Sequence, residues 1–155
     1  MKIFIGADHR GFKYKSRIIE LLNAECKTLN AVVVDLGTLN DQEPCDYPRT
    51  AYVVAKAVAE TKNSLGILIC MSGNGQTIAA NKVKGAYAAL CLNKEAASLA
   101  RQHNNANVLV ISAKFTKMKD VKDVVKAFLT AKFEGGRHLR RFNQIKKIEK
   151  GMKII

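Results

Sequence analysis

Tryptophan is missing from the 155 residues, and aromatic residues of all kinds reach only 6%. That scarcity removes the stacking platforms on which single-stranded nucleic acid is held. Prolines number two, and there is no repeat and no Gly/Ser-rich linker. Residues 1–155 therefore read as one domain. No apolar run approaches the ~20 residues of a membrane-spanning helix. The opening run in MKIFIGADHRG is cut at once by Asp8, His9 and Arg10, which also makes it too short for a secretory leader. The expected location is the cytoplasm, with no membrane partner. Four cysteines are present, and the nearest pair, Cys26 and Cys45, stands 19 positions apart. With no Cys-x-x-Cys and with His9, His103 and His138 scattered, the pattern of a structural zinc site is absent. The four thiols, Cys26, Cys45, Cys70 and Cys91, are expected to be free in a reducing compartment.

Acidic side chains are also scarce: 13 against 26 Lys and Arg, a net charge of +13. Such an excess marks either a nucleic-acid footprint or attraction of a small anionic substrate. The charges are spread along the chain, denser only in GRHLRRFNQIKKIEKGMK. With stacking residues so few, the small anion is the better fit, and no nucleic-acid partner is expected.

What is present is alternation. Short apolar runs at 2–7, 31–37, 65–70, 86–92 and 108–113 read as strands. Between them the apolar spacing turns helical: Tyr14, Ile18, Leu21 and Leu22, then Ala51, Val54, Ala55 and Val58 behind Pro48. A short helix is expected over 75–83, another from Glu95 to His103 capped by Asn93, and a fifth marked by Val121, Val124, Val125, Phe128 and Leu129. Gly135-Gly136 then breaks the pattern before a last helix over 137–150. Near-continuous apolar strands belong to a parallel sheet covered on both faces. The expected fold is α/β, a three-layer doubly wound sandwich around a five-stranded parallel sheet of order 2-1-3-4-5, with an extra C-terminal helix free to pack on a partner subunit.

In such a sheet, ligands lie beyond the carboxyl ends of the strands where the order reverses. Strands 1 and 3 flank that point, ending in Gly6-Ala7-Asp8-His9 and Cys70-Met71-Ser72-Gly73-Asn74-Gly75. Nucleotide motifs fail: GADHRGFK has Phe12 where a phosphate-loop Lys should stand, and GNGQTI lacks the third Gly of a dinucleotide turn. What remains is a loop of backbone amides opening a helix, suited to a phosphate or to an oxyanion formed during reaction. At its mouth Cys70 is either the last core residue of a strand or a thiol with its pKa lowered toward neutrality, ready to act as base or nucleophile. His103 is either a proton shuttle or a histidine satisfying carbonyls at a helix end. Arg137 and Arg141, four apart on one face, are either a phosphate clamp or part of a solvated basic stripe.

Taken together, GADHRGF, DYP at 46–48, GILIC-x-S-G-x-G at 66–75, IAANK at 78–82, RQHN-x-x-NVL at 101–109 and EGGRH-x-x-R at 134–141 resemble, in order and over essentially the full chain, the type B ribose-5-phosphate isomerases and the related galactose-6-phosphate isomerase subunits. The resemblance implies an aldose–ketose isomerase of the pentose phosphate pathway, or one acting on galactose or allose 6-phosphate. It implies no metal or organic cofactor, and homodimers or homotetramers with sites shared between subunits. It casts Cys70 as the base that moves a proton between C1 and C2, with Ser72 assisting. The loop Met71 to Gly75, including Gly73 and Asn74, would hold the enediolate oxygens. His103 would be the ring-opening acid, with Asp8 beside it. Asp8 and His9 match sugar- and phosphate-binding positions, Tyr47 and Asn104 line the same pocket, and Arg137 and Arg141 form the phosphate clamp. Three positions depart from the family pattern: Lys114 stands where an Arg is common, Tyr87 replaces the Arg of a G-I-R-A turn, and Met71 is bulkier than usual.

Overall fold

Apolar runs that alternate with amphipathic helices leave the chain one economical arrangement, a buried parallel sheet with helices on both faces. The computed structural model takes that form. It describes residues 1–154, without the side chains of residues 25–29; Cys26 and its expected free thiol lie outside the described residues. The elements run β1 (Lys2–Ala7), α1 (Phe12–Leu29), β2 (Val32–Asp35), α2 (Tyr47–Glu60), β3 (Ser64–Cys70), α3 (Asn74–Ala80), β4 (Ala88–Leu90), α4 (Lys94–Asn104), β5 (Val108–Ser112), α5 (Val121–Thr130) and α6 (Gly136–Glu149). Asn93 caps α4 as expected, its side chain accepting from the Ala96 amide at 2.8 Å.

All pairings are parallel, and the order is β2-β1-β3-β5-β4. The expected order 2-1-3-4-5 is therefore wrong at its end: β5 lies between β3 and β4. Every residue of β5 is buried, whereas the three residues of β4 are only half-buried. Two neighbours cover VLVIS, and the short, alanine-rich AAL takes the edge, where less apolar area is lost. The reversal between β1 and β3 is unaffected.

Successive strand residues point to opposite faces. Ile3, Ile5, Ile67, Ile69, Leu109 and Ile111 pack with α1, α4 and α5 through residues such as Ile18, Ala97, Val124 and Phe128. Phe4, Leu68, Val108 and Val110 pack with Ala51, Val54, Ala55 and Val58 of α2 and Ala80 of α3. One charge is sunk in this frame. Lys15 of α1 is 1% exposed, and its Nζ donates to both carboxylate oxygens of Asp35 (2.8 and 2.6 Å) and to the Thr38 carbonyl (2.6 Å). A buried ammonium is tolerated only when paired in this way; the pair ties α1 to the start of the loop that leads to Cys45 and Tyr47.

The last helix is anchored on its own chain. Phe142 is buried against Tyr87 and Phe133, and Glu149 accepts from the Gly85 amide at 2.7 Å and the Tyr87 hydroxyl at 3.2 Å. Tyr87, where the family pattern has Arg, thus serves as a tether for α6. Leu139, Ile145 and Ile148 remain exposed along α6. Among the described residues no helix is long and apolar enough to cross a membrane.

Candidate active site

At the carboxyl ends of β1 and β3 the chain must turn sharply, and the turns are built from main-chain hydrogen bonds. Asp8, 6% exposed, accepts from the Gly11 amide at 2.9 Å. Burial pushes its carboxyl up, against the pull of the Gly11 amide. His9 accepts from the Cys45 amide through Nδ1 at 3.2 Å, so the neutral ring carries its proton on Nε2.

β3 ends at Cys70, whose Sγ accepts from the Gly73 amide at 3.2 Å. Gly73 has φ +86°, a left-handed conformation, and a Cβ there would strike Leu90; glycine alone satisfies both demands. Ser72 Oγ accepts from the Asn74 amide at 3.4 Å. A Cβ on Gly75 would lie 2.5 Å from Cζ of Tyr47, so this glycine lets the tyrosine ring rest on the opening turn of α3. The end of β5 holds the loop from behind: the Ala113 and Lys114 amides donate to the Cys70 and Met71 carbonyls at 2.9 and 3.0 Å, and Ser112 Oγ donates to the Met71 carbonyl at 2.8 Å.

Asp8, His9, Tyr47, Cys70, Ser72 and Gly75 line one cleft of about 380 Å³, with Met71 and Cys45 on its walls. The structure thus brings together most of the residues expected from strands 1 and 3, while Gly73 and Asn74 shape the turn behind it. One expectation is corrected. The Cys70 thiol is not lowered toward neutrality but raised: burial dominates and the Asp8 charge adds to it, outweighing the Gly73, Gln76 and Ser72 amides that favour the thiolate. The α3 terminus points at the sulfur as expected, but at 4% exposure desolvation wins.

His103, Asn104 and Arg141 line a second cleft, of about 240 Å³, with His138, Phe142 and Ile145; Arg137 stands beside it rather than in its lining. His103, at the end of α4, stacks on His138 with ring centres 4.2 Å apart and planes 4° from parallel. Glu134 Oε2 lies 3.7 Å from Nε2 of each ring, and Arg137 Nε donates to His138 Nε2 at 3.3 Å. Burial lowers the His138 pKa, and the charges of His103 and Arg137 lower it further. Gly135 and Gly136, at φ +68° and +53°, give the sharp entry into α6 that the sequence suggests. Lys114 lines neither cleft: its ammonium lies over the Phe115 ring, 5.7 Å from the centroid.

The two clefts share no lining residue. Register explains the separation. Cys70 pairs with Ser112 and Gly66 with Val108, so Cys70 is at the carboxyl end of the strands. His103 closes α4 just before β5 begins, at the amino end. Four strand steps from Val108 to Ser112 span ~13 Å. Tyr47 and Asn104, expected in one pocket, are likewise in different clefts of the same chain. Glu134, His138, Ser112 and Cys45 were not singled out by the sequence. The stride of four that marks Arg137 and Arg141 also joins Glu134 to His138, and is the one signal that could have found them.

Residues 3–145 match the model of a family described as ribose/galactose isomerase. The chain is 42% identical to ribose-5-phosphate isomerase B of Escherichia coli over 148 residues, 96% of each protein. It is similar to the crystal structure of ribose-5-phosphate isomerase B from Mycoplasma genitalium with bound ribulose 5-phosphate, with TM-score 0.89, 47% identity and 96% of each chain covered. It is similar also to the type B ribose 5-phosphate isomerase of Trypanosoma cruzi, with TM-score 0.91, 35% identity, and 97% and 99% covered. Motifs, fold and full-length similarity agree, and the chain belongs to the ribose/galactose isomerase family.

Proposed function

We propose that this protein is an isomerase that interconverts ribose 5-phosphate and ribulose 5-phosphate by proton transfer through an enediolate. The observation that carries the reading is the sulfur of Cys70, held by the Gly73 amide at the wall of an open cleft. In the direction of ketose formation, His103 gives a proton to the ring oxygen while the Asp8 carboxylate takes the proton of the anomeric hydroxyl; the sugar opens, and the two groups are reset by proton exchange with solvent. The Cys70 thiolate takes the proton from C2. Charge moves onto the oxygens at C1 and C2, where the amides of the loop Met71 to Gly75 offset it. The thiol returns the proton to C1, and Ser72 assists the exchange between the two oxygens. Arg137 and Arg141 hold the phosphate, whose binding energy positions the reacting carbons. The cycle balances without metal or organic cofactor.

A working site needs both clefts, and one chain keeps them at opposite ends of its sheet. The arrangement supports a homodimer or a pair of dimers in which His103, Asn104, Arg137 and Arg141 of one copy face Cys70 of another; the exposed Leu139, Ile145 and Ile148 of α6 supply apolar surface for such a contact. Lys114, on the Cys70 side, would then meet the phosphate as a point charge. The whole chain acts as one domain, in the cytoplasm, within pentose phosphate metabolism. Bound ribulose 5-phosphate in a relative 47% identical supports the pentose over galactose or allose 6-phosphate.

The test follows ketose formation from ribose 5-phosphate without added metal. Turnover is expected, with most of it lost in Cys70→Ala and in His103→Ala. Co-refolding these two variants should restore about a quarter of the wild-type activity, because half of randomly paired dimers are mixed and each carries one intact site. Full activity in Cys70→Ala would show that the base is misassigned, and absence of rescue that the site lies within one chain.

A further inference from the structure

The second cleft holds a feature that isomerisation alone does not call for. One imidazole nitrogen from each of His103 and His138 and a Glu134 carboxylate oxygen lie within 4.8 Å of one another, with Nε2 of each ring 3.7 Å from Glu134 Oε2. The contact given to His138 Nε2 is donated by Arg137, so this nitrogen presents a lone pair and its ring proton is on Nδ1. Acceptors of three side chains thus lie close together, and aiming both imidazole lone pairs at one ion requires the stacked rings to rotate out of parallel and Arg137 to let go of His138. A carboxylate is also an odd neighbour for Arg137 and Arg141 if their only task is to hold a phosphate, because it repels the same anion.

We propose that His103, His138 and Glu134 form a binding site for a divalent transition-metal ion of the zinc type, and that the bound ion switches the isomerase off. Two imidazole nitrogens and one carboxylate oxygen are a donor set that zinc, cobalt and nickel accept. Bonds of ~2.1 Å at tetrahedral angles require ligand atoms ~3.3 Å apart. The two 3.7 Å separations need to contract by only a few tenths of an ångström, and the stacked rings must tilt toward one another. Glu134 is fixed close by, its amide donating to the Gln102 carbonyl at 3.0 Å. The adjoining cavity of about 240 Å³ gives an entry path and room for water as a further ligand.

Coordination involves no change of oxidation state: the ion accepts three lone pairs, and any proton on His103 leaves to solvent. Arg137 must release His138. The ion thus removes the ring-opening imidazole and disturbs the phosphate clamp together, lowering kcat and raising KM. Binding stands on the geometry alone; the inhibition rests on the isomerase reading above.

The full-length protein, stripped of metal by a chelator, is titrated with zinc alone by calorimetry and with cobalt by visible absorption. Saturable binding of one ion per chain is expected, with cobalt bands of a nitrogen/oxygen site and no sulfur-to-cobalt charge transfer. Glu134→Gln should weaken binding at least ~10-fold, and His138→Asn should abolish it, with thermal melts confirming that both variants are folded. Cys45→Ser and Cys70→Ala should bind as the wild type does. Absence of binding at millimolar metal, binding that survives both ligand variants, or binding that vanishes with the cysteines would overturn the site. Ribose 5-phosphate turnover should fall as zinc occupancy rises and return on adding chelator. Occupancy without loss of turnover would overturn the inhibitory part. If the metal-free protein does not turn over ribose 5-phosphate at all, the isomerase reading fails, and the isotherm still decides the metal site.

Discussion

Around Cys70 the protein uses main chain: a left-handed glycine, three amides near the sulfur, and carbonyls pinned by the end of β5. Around His103 it uses side chains: a second imidazole, a carboxylate and two guanidiniums projected from α4, α6 and the turn between. The first cleft sets a thiol beside Asp8, His9 and Arg10; the second gathers two imidazoles and the Arg141 guanidinium. Backbone dipoles cost nothing to reorganise when charge develops on two adjacent oxygens, so they suit the enediolate. Guanidinium forks match a preformed phosphate. On the proposed mechanism, each cleft is built from the material its half of the reaction needs.

The contrast predicts a hierarchy. Largest is Cys70→Ala, for which kcat should fall by about 10³-fold. Cys91 is as deeply buried, and burial pushes its thiol up to about 12, but it faces neither cleft; Cys91→Ala should cost stability and leave kcat within about twofold. A steady-state assay and a thermal melt on both variants separate the two thiols. Next is pH. Because the Cys70 thiol is held above its ordinary value, the thiolate is the minor form near neutrality and grows with alkalinity. The logarithm of kcat/KM should climb between about pH 7 and 9 with a slope of about one, and a flat profile would mean that the base is not this thiol. Arg137→Ala should raise KM by about 30-fold with a smaller loss of kcat, as expected for losing ~2 kcal/mol of charge-assisted phosphate contact. Smallest, and on stability alone, is Lys15→Met. It leaves Asp35 unpaired but one-third exposed, so water recovers part of the loss, and urea unfolding should report a cost of about 2 kcal/mol.

The convergence of strands 1 and 3 on one cleft was legible because strand ends and the reversal point follow from alternation alone. The seats of β4 and β5 were not: AYAALCL and VLVISA are both apolar runs, and hydrophobic continuity marks a strand without saying which neighbours it takes. Only the contrast of alanine with branched aliphatics hinted at edge and centre. Lys15 was invisible for a related reason, since a lysine within FKYKSR reads as solvated until the fold brings Asp35 over it. Of the two readings left open for Cys70, the lowered thiol is the one the structure does not favour, because sequence shows the helix that follows the thiol but not how little water reaches it. Glu134 and His138 escaped because their meaning depends on His103, which reaches them across the fold from α4.

β5 has a consequence for synthesis. β4 pairs with no strand but β5, and the loop bearing Cys70 is braced by residues 112–114. A ribosome releases the Cys70 turn about forty residues before its brace. Through that interval β3 presents a bare edge and β4 has nothing to pair with. The nascent chain is thus most open to aggregation late in its making, until the fifth strand slides into the gap left for it.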